Sequence, residues 1–98
     1  MSAVNLLVLI EVQPGKRLQQ IQAYKKLRSL VLAEPGCLQY DLFADASDEN
    51  KFVLLEHWAS QVTLDAHDQT VHMVEADQLN PSFRAKSSVV VKMNRVEP

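Results

Sequence analysis

Residues 4–12 read VNLLVLIEV and predict a β-strand. Apolar side chains occupy both odd and even positions, so both faces of this strand should be buried. Pro14 and Gly15 follow it and predict a turn. A sheet that contains this strand therefore needs a covering layer on each of its faces.

The rest of the chain predicts two helical regions and three further strands. The helical regions are residues 16–33 and 60–77, and a break near Thr70 would divide the second. The strands are residues 37–45, 51–59 and 87–95, with Leu38, Tyr40 and Leu42 alternating along the first of these. The order β-α-β-β-α-β predicts one ferredoxin-like α+β domain over residues 1–98, an antiparallel four-stranded sheet with both helices on one face. Because the helices cover only that face, a second copy should cover the other, giving a two-fold homodimer packed sheet to sheet.

Composition limits the classes of partner. The net charge of −2 gives no basic excess for binding nucleic acid, and the longest apolar run, Leu6 to Ile10, is too short to span a membrane. The single cysteine, Cys37, cannot form an internal disulfide, which fits a reduced, cytoplasmic setting. With only two glycines the chain has no phosphate-binding loop, so no nucleotide or flavin cofactor is expected.

The end of the third strand carries the first candidate functional residues. Period-two alternation places Phe52, Leu54, Glu56 and Trp58 on one face. A carboxylate between apolar neighbours would have a raised pKa, which suits proton transfer, although Glu56 could instead bind a structural partner. Trp58 could form the wall of a pocket for a flat aromatic substrate, or simply fill the core.

Two histidines in the second helical region are candidate general bases. His67 and His72 are five residues apart and do not share a helix face, but a break near Thr70 would bring them together. Either could also be structural. His72 and Glu75 lie on one helical face near His67, but no His-Glu-x-x-His motif or cysteine pair is present, so no metal site is expected.

Four stretches resemble the antibiotic biosynthesis monooxygenase family of dimeric α+β barrel proteins. They are Val12-Gln13-Pro14-Gly15-Lys16, Glu34-Pro35-Gly36-Cys37-Leu38 with Tyr40, Phe52 to Trp58, and Leu64-Asp65-Ala66-His67 with His72. The resemblance implies a pocket between sheet and helices, closed in part by the partner subunit. It also implies, in members of known activity, oxidation of anthrones or dihydroquinones by O₂ without metal or flavin. By position, Trp58 would form the wall, His67 or His72 would be the base, and Glu56 would orient or share the proton. Tyr40 would be a further donor, and Phe52 and Leu54 would complete the substrate-binding set.

Some residues depart from this pattern. Leu54 stands where some anthrone-oxidising relatives carry Asn, and Leu7 and Val8 occupy the part of the first strand where a haem-degrading branch carries Asn. Haem is therefore not expected. An isomerase branch acting on small phosphorylated autoinducers is similar at Glu56 and at both helix histidines, and Arg84, Lys86 and Arg95 could bind a phosphate.

The sequence thus favours a cofactor-independent monooxygenase whose partners are O₂ and a quinol-like or polyphenolic small molecule. The alternatives are an isomerase of a small carbonyl compound and a non-catalytic ligand-binding dimer. O₂ consumption separates the first from the second, because an isomerase turns over anaerobically and exchanges substrate protons with solvent.

Overall fold

The computed structural model describes residues 2–98 and confirms the predicted ferredoxin-like fold. Its antiparallel sheet has the strand order β2-β3-β1-β4. The strands are β1 (Val4–Glu11), β2 (Cys37–Ala44), β3 (Lys51–Trp58) and β4 (Val89–Met93). The helices are α1 (Arg17–Leu32), α2 (Gln61–Asp68) and α3 (Val71–Leu79), and a 3₁₀ turn follows at Asn80–Ser82. No helix among the described residues is long and apolar enough to cross a bilayer.

Side-chain caps divide the second helical region where the sequence predicts a break. The Ser60 hydroxyl accepts from the Thr63 backbone N–H, and the Thr63 hydroxyl accepts from the Ser60 N–H, forming a capping box at the start of α2. α2 ends at Asp68, and the Thr70 hydroxyl accepts from the Met73 N–H to begin α3. The break therefore places His67 in α2 and His72 in α3.

The turn before β2 is held by a close approach to α2. Gly36 has φ +81°, and a Cβ built on it would lie 2.6 Å from the Thr63 side chain. Its carbonyl also accepts from the Ala59 N–H at 2.8 Å. Only glycine fits both the backbone conformation and the available space, and the contact places the end of α1 against the start of α2.

The sheet face that carries the helices contains most of the core. Leu6, Val8 and Ile10 of β1 and Leu54 of β3 are all buried there. On β2 the alternation starts later than predicted, because a bulge between Cys37 and Gln39 shifts the register. Leu38 is therefore 59% exposed and does not alternate inward with Tyr40 and Leu42.

The opposite sheet face, here called the outer face, has no covering layer among residues 2–98. Paired rows cross it from edge to edge: Phe43-Val53-Leu9-Val89 and Asp41-Leu55-Leu7-Val91. Four of these apolar side chains are 42–52% exposed: Leu9, Phe43, Val89 and Val91. The expectation that β1 is buried on both faces is thus not met within one chain.

Candidate active site

A cavity of about 400 Å³ lies between the sheet and the helices. Leu6, Val8 and Leu54 form its floor, and Leu27, Leu64 and Met73 contribute from the helices. The polar side chains that line it include Tyr40, Glu56, His67, Asp68 and Arg84. An apolar pocket with a few convergent polar groups is the usual form of a small-molecule site.

His67 is held in one orientation by a partly buried carboxylate. His67 is 2% exposed, and its Nδ1 lies 3.0 and 2.9 Å from the two carboxylate oxygens of Glu34. Because an ionised carboxylate only accepts hydrogen bonds, we assign the proton to Nδ1, which donates to Glu34. Nε2 is then an unprotonated acceptor on the cavity side of the ring.

His72 reaches the same carboxylate from α3. Its Nε2 lies 2.7 Å from Glu34 Oε2, so Glu34 accepts from both histidines. The helix break therefore brings His67 and His72 together, as the sequence suggested. His72 does not line the cavity, whereas His67 does.

Glu56 faces His67 from the sheet. Its residue is 8% exposed, and its Oε1 lies 4.0 Å from His67 Nε2. Burial raises the pKa of Glu56, although a hydrogen bond from Trp58 and the nearby His67 oppose that shift. The Glu56 carboxyl group and His67 Nε2 therefore face each other on one side of the cavity.

Trp58 contacts both Glu56 and His67. It is fully buried, and its Nε1 donates to Glu56 Oε1 at 3.0 Å. Its ring centroid is 4.6 Å from that of His67. Phe52 is 2% exposed and lies below the Arg17 guanidinium. Of the four residues expected to bind substrate, Tyr40 and Leu54 line the cavity, while Trp58 and Phe52 are not among its described lining residues.

Tyr40 and Arg84 supply the remaining polar groups that matter for binding. Burial raises the pKa of Tyr40, which keeps its hydroxyl protonated. Burial also lowers the pKa of Arg84, whose Nε donates to Gln20 Oε1 at 3.2 Å. Of the three basic residues considered for phosphate, only Arg84 lines this cavity.

Glu34 is the functional residue that sequence reasoning missed. The sequence patterns include it only in one of the four family-like stretches and give it no role of its own. The Gly36 contact brings the turn after α1 against α2, which places Glu34 beneath His67. A histidine with one nitrogen held by a carboxylate and the other facing an apolar cavity is arranged as a general base.

Comparison with known proteins agrees with the fold. The model of the family described as antibiotic biosynthesis monooxygenase matches residues 3–79. The chain is 37% identical to the Bacillus subtilis protein named "Putative monooxygenase YcnE" over 70% of this chain and 73% of that one. It is 30% identical to the uncharacterized protein sll1783 of Synechocystis over 83% of this chain but only 55% of that protein's length. The crystal structure of PA3566 from Pseudomonas aeruginosa superposes with a TM-score of 0.90 at 26% identity, covering 99% of this chain and 97% of that one. The chain therefore belongs to the antibiotic biosynthesis monooxygenase family.

Proposed function

We propose that the cavity binds a quinol-like or polyphenolic small molecule and that the chain oxidises it with O₂ without a metal or flavin cofactor. The observation that carries this proposal is the orientation of His67. Its Nδ1 is fixed by Glu34 at 2.9 Å, so its Nε2 lone pair faces the cavity and can accept a phenolic proton. Family membership and the relative named as a monooxygenase support the reaction class.

The reaction balances with these groups alone. His67 Nε2 takes a proton from the bound phenol, and the resulting carbanion-like anion transfers electrons to O₂, forming a C–O bond. The imidazolium returns its proton to the peroxide. Loss of the hydrogen on the same carbon and cleavage of the O–O bond then release water and leave a carbonyl. The substrate loses two hydrogens and gains one oxygen atom, while the second oxygen atom leaves as water.

The surroundings of His67 favour this chemistry. The apolar floor of Leu6, Val8 and Leu54 limits water around the anion. Tyr40, kept protonated by burial, can donate to the phenolate, and Arg84 adds positive charge. Trp58 then serves as a positioning residue that holds Glu56 and packs against the His67 ring, instead of stacking on the substrate.

One observation favours the isomerase as a second candidate. Glu56 Oε1 and His67 Nε2 are 4.0 Å apart, so two proton carriers face the same part of the cavity. Such a pair could remove a proton from one carbon of a small carbonyl compound and return it to another. Arg84 would bind an anionic group of that substrate.

We also propose that two copies pack through their outer faces. The apolar rows that include Leu9 and Val91 are exposed in the single chain, and a second copy would remove them from water. The free thiol of Cys37 supports a reducing, cytoplasmic setting.

O₂ uptake against a panel of dihydroquinones, anthrone-like phenols and catechols tests the proposal. His67→Ala should lower the rate about 10²- to 10⁴-fold, as expected for loss of a general base. Gln19→Ala, at an exposed position of α1 outside the cavity, is the control and should keep the rate. Equal rates for both variants would contradict the assignment of His67. Anaerobic proton exchange in D₂O would instead favour the isomerase, and ligand stabilisation without turnover would favour a binding module.

A further inference from the structure

We propose that Glu34, His67 and His72 form a binding site for a divalent transition-metal ion of the Zn²⁺ type. The site lies on the side of the His67 ring away from the proposed substrate. It is therefore separate from the cavity, although the two share one imidazole. Two imidazoles and one carboxylate form a ligand set that Zn²⁺ commonly takes, with the fourth position left to water.

The candidate ligand atoms are already close together. His67 Nδ1, His72 Nε2 and a Glu34 carboxylate oxygen all lie within 4.8 Å of one another. The two nitrogen–oxygen distances are 2.9 and 2.7 Å. A tetrahedral ion with bonds of about 2.0–2.1 Å holds its ligand atoms roughly 3.3 Å apart. Each histidine nitrogen therefore needs to separate from the carboxylate oxygen by only about half an ångström. The two nitrogens, which lie within 4.8 Å of each other, need to approach by at most about 1.5 Å.

The fold holds these three side chains in position. The side chains of His67, Glu34 and His72 are 3%, 10% and 22% exposed, so the cluster is ordered by packing and opens to solvent at His72. The carboxylate comes from the turn after α1, and the histidines come from either side of the α2–α3 break. Sequence spacing suggested Glu75 as the helix partner of His72, but the acidic residue that contacts both histidines is Glu34.

A second carboxylate stands where a metal-bound histidine needs one. Histidine ligands usually donate their other ring N–H to a carboxylate, which fixes the tautomer. When His67 binds metal through Nδ1, its proton must lie on Nε2, which is 4.0 Å from Glu56 Oε1. Trp58 holds Glu56 from the other side. Glu34 and Glu56 thus flank the ring, and an approach of about 1 Å would let Glu56 Oε1 accept the Nε2 proton of a metal-bound His67.

Metal binding and base catalysis are then mutually exclusive. The proton of His67 moves from Nδ1 to Nε2 when the metal binds, so Nε2 can no longer accept a substrate proton. This consequence for turnover rests on the proposed function, whereas metal binding itself does not.

Calorimetric titration of chelator-treated protein with ZnCl₂ tests binding without any substrate. We expect one Zn²⁺ per chain, with affinity reduced at least tenfold in His72→Ala and in Glu34→Gln. His57→Ala is the matched control and should bind as wild type does, while circular dichroism verifies that each variant is folded. Absence of binding by the wild type, or equal affinity in all three variants, would overturn the proposal.

Nitrogen-15 NMR of the imidazoles tests the same site without any substitution. In chelator-treated protein we expect the His67 proton on Nδ1, and with one equivalent of Zn²⁺ on Nε2, with the His72 signals also shifted. Bound Zn²⁺ that leaves the signals of both histidines unchanged would place the ion elsewhere and overturn the assignment. Neither measurement uses turnover, so failure of the monooxygenase proposal leaves this test intact.

Discussion

The two faces of β3 carry neighbouring residues with different surroundings. Leu54 and Trp58 point to the helices and are 7% and 0% exposed. Leu55 and His57 point to the outer face, where no element of the described chain covers them. Strand alternation separates a face completed by the chain's own helices from one that needs another molecule. Side chains of similar polarity should therefore respond differently to the same substitution.

The largest effect is expected at Trp58, on the helix-facing side of β3. Trp58→Ala should lower the free energy of unfolding by about 3–5 kcal/mol, because it leaves a cavity in the core and removes the hydrogen bond to Glu56. Urea unfolding followed by circular dichroism measures this directly. A loss below about 1 kcal/mol would mean that the inner face collapses around the missing ring.

Leu54 and Leu55 are adjacent in β3 and point to opposite faces, so their substitution tests the difference between the two faces directly. Leu54→Ala should cost about 2 kcal/mol, near the low end for leucine because the side chain already borders the cavity. That cost should not depend on protein concentration. Leu55→Ala should cost less in dilute solution and more as concentration rises, because its contacts form between chains. The same concentration-independent loss for both variants would remove the distinction between the faces.

A charge on the outer face should weaken self-association without unfolding the chain. Leu9→Lys places an ammonium group among the apolar rows and should raise the dimer dissociation constant at least about tenfold, or ~1.4 kcal/mol. Light scattering coupled to size-exclusion chromatography measures the mass, and Leu18→Lys, on an α1 side chain that is 65% exposed, is the control. Dimers that survive Leu9→Lys would place the interface elsewhere.

The smallest effect concerns the pH dependence of stability. Burial raises the pKa of Glu56 above its unfolded value, so the folded chain binds the proton more tightly. The contribution of this group is fully present below the unfolded pKa and is lost as pH rises through the raised folded pKa. Glu56→Gln keeps an oxygen acceptor for Trp58 and should flatten that decline. Unfolding of both proteins in zinc-free buffer, repeated across this pH range, measures the effect. Identical pH profiles for the two proteins would show that folding does not raise the pKa of Glu56.

Sequence reasoning predicted the fold better than the site. The order of elements and the helix break near Thr70 follow from local patterns and match the structure. The bulge between Cys37 and Gln39 was not predicted, because an extra residue in one strand depends on how its neighbour pairs. For that reason Leu38 was wrongly expected to alternate inward with Tyr40.

The sequence by itself determined which residues alternate along β3, where the second helical region divides and that Glu56 lies on the same strand face as Trp58. Those properties follow from side-chain periodicity and capping, which act over a few residues. Only the tertiary structure decided that Glu34 binds both His67 and His72 and that Trp58 lies behind the cavity instead of in its wall. The contacts of Glu34 join residues more than thirty positions apart in the sequence. They depend on how the turn after α1 packs against α2 and α3. Packing in three dimensions sets such distances, and no local pattern encodes them.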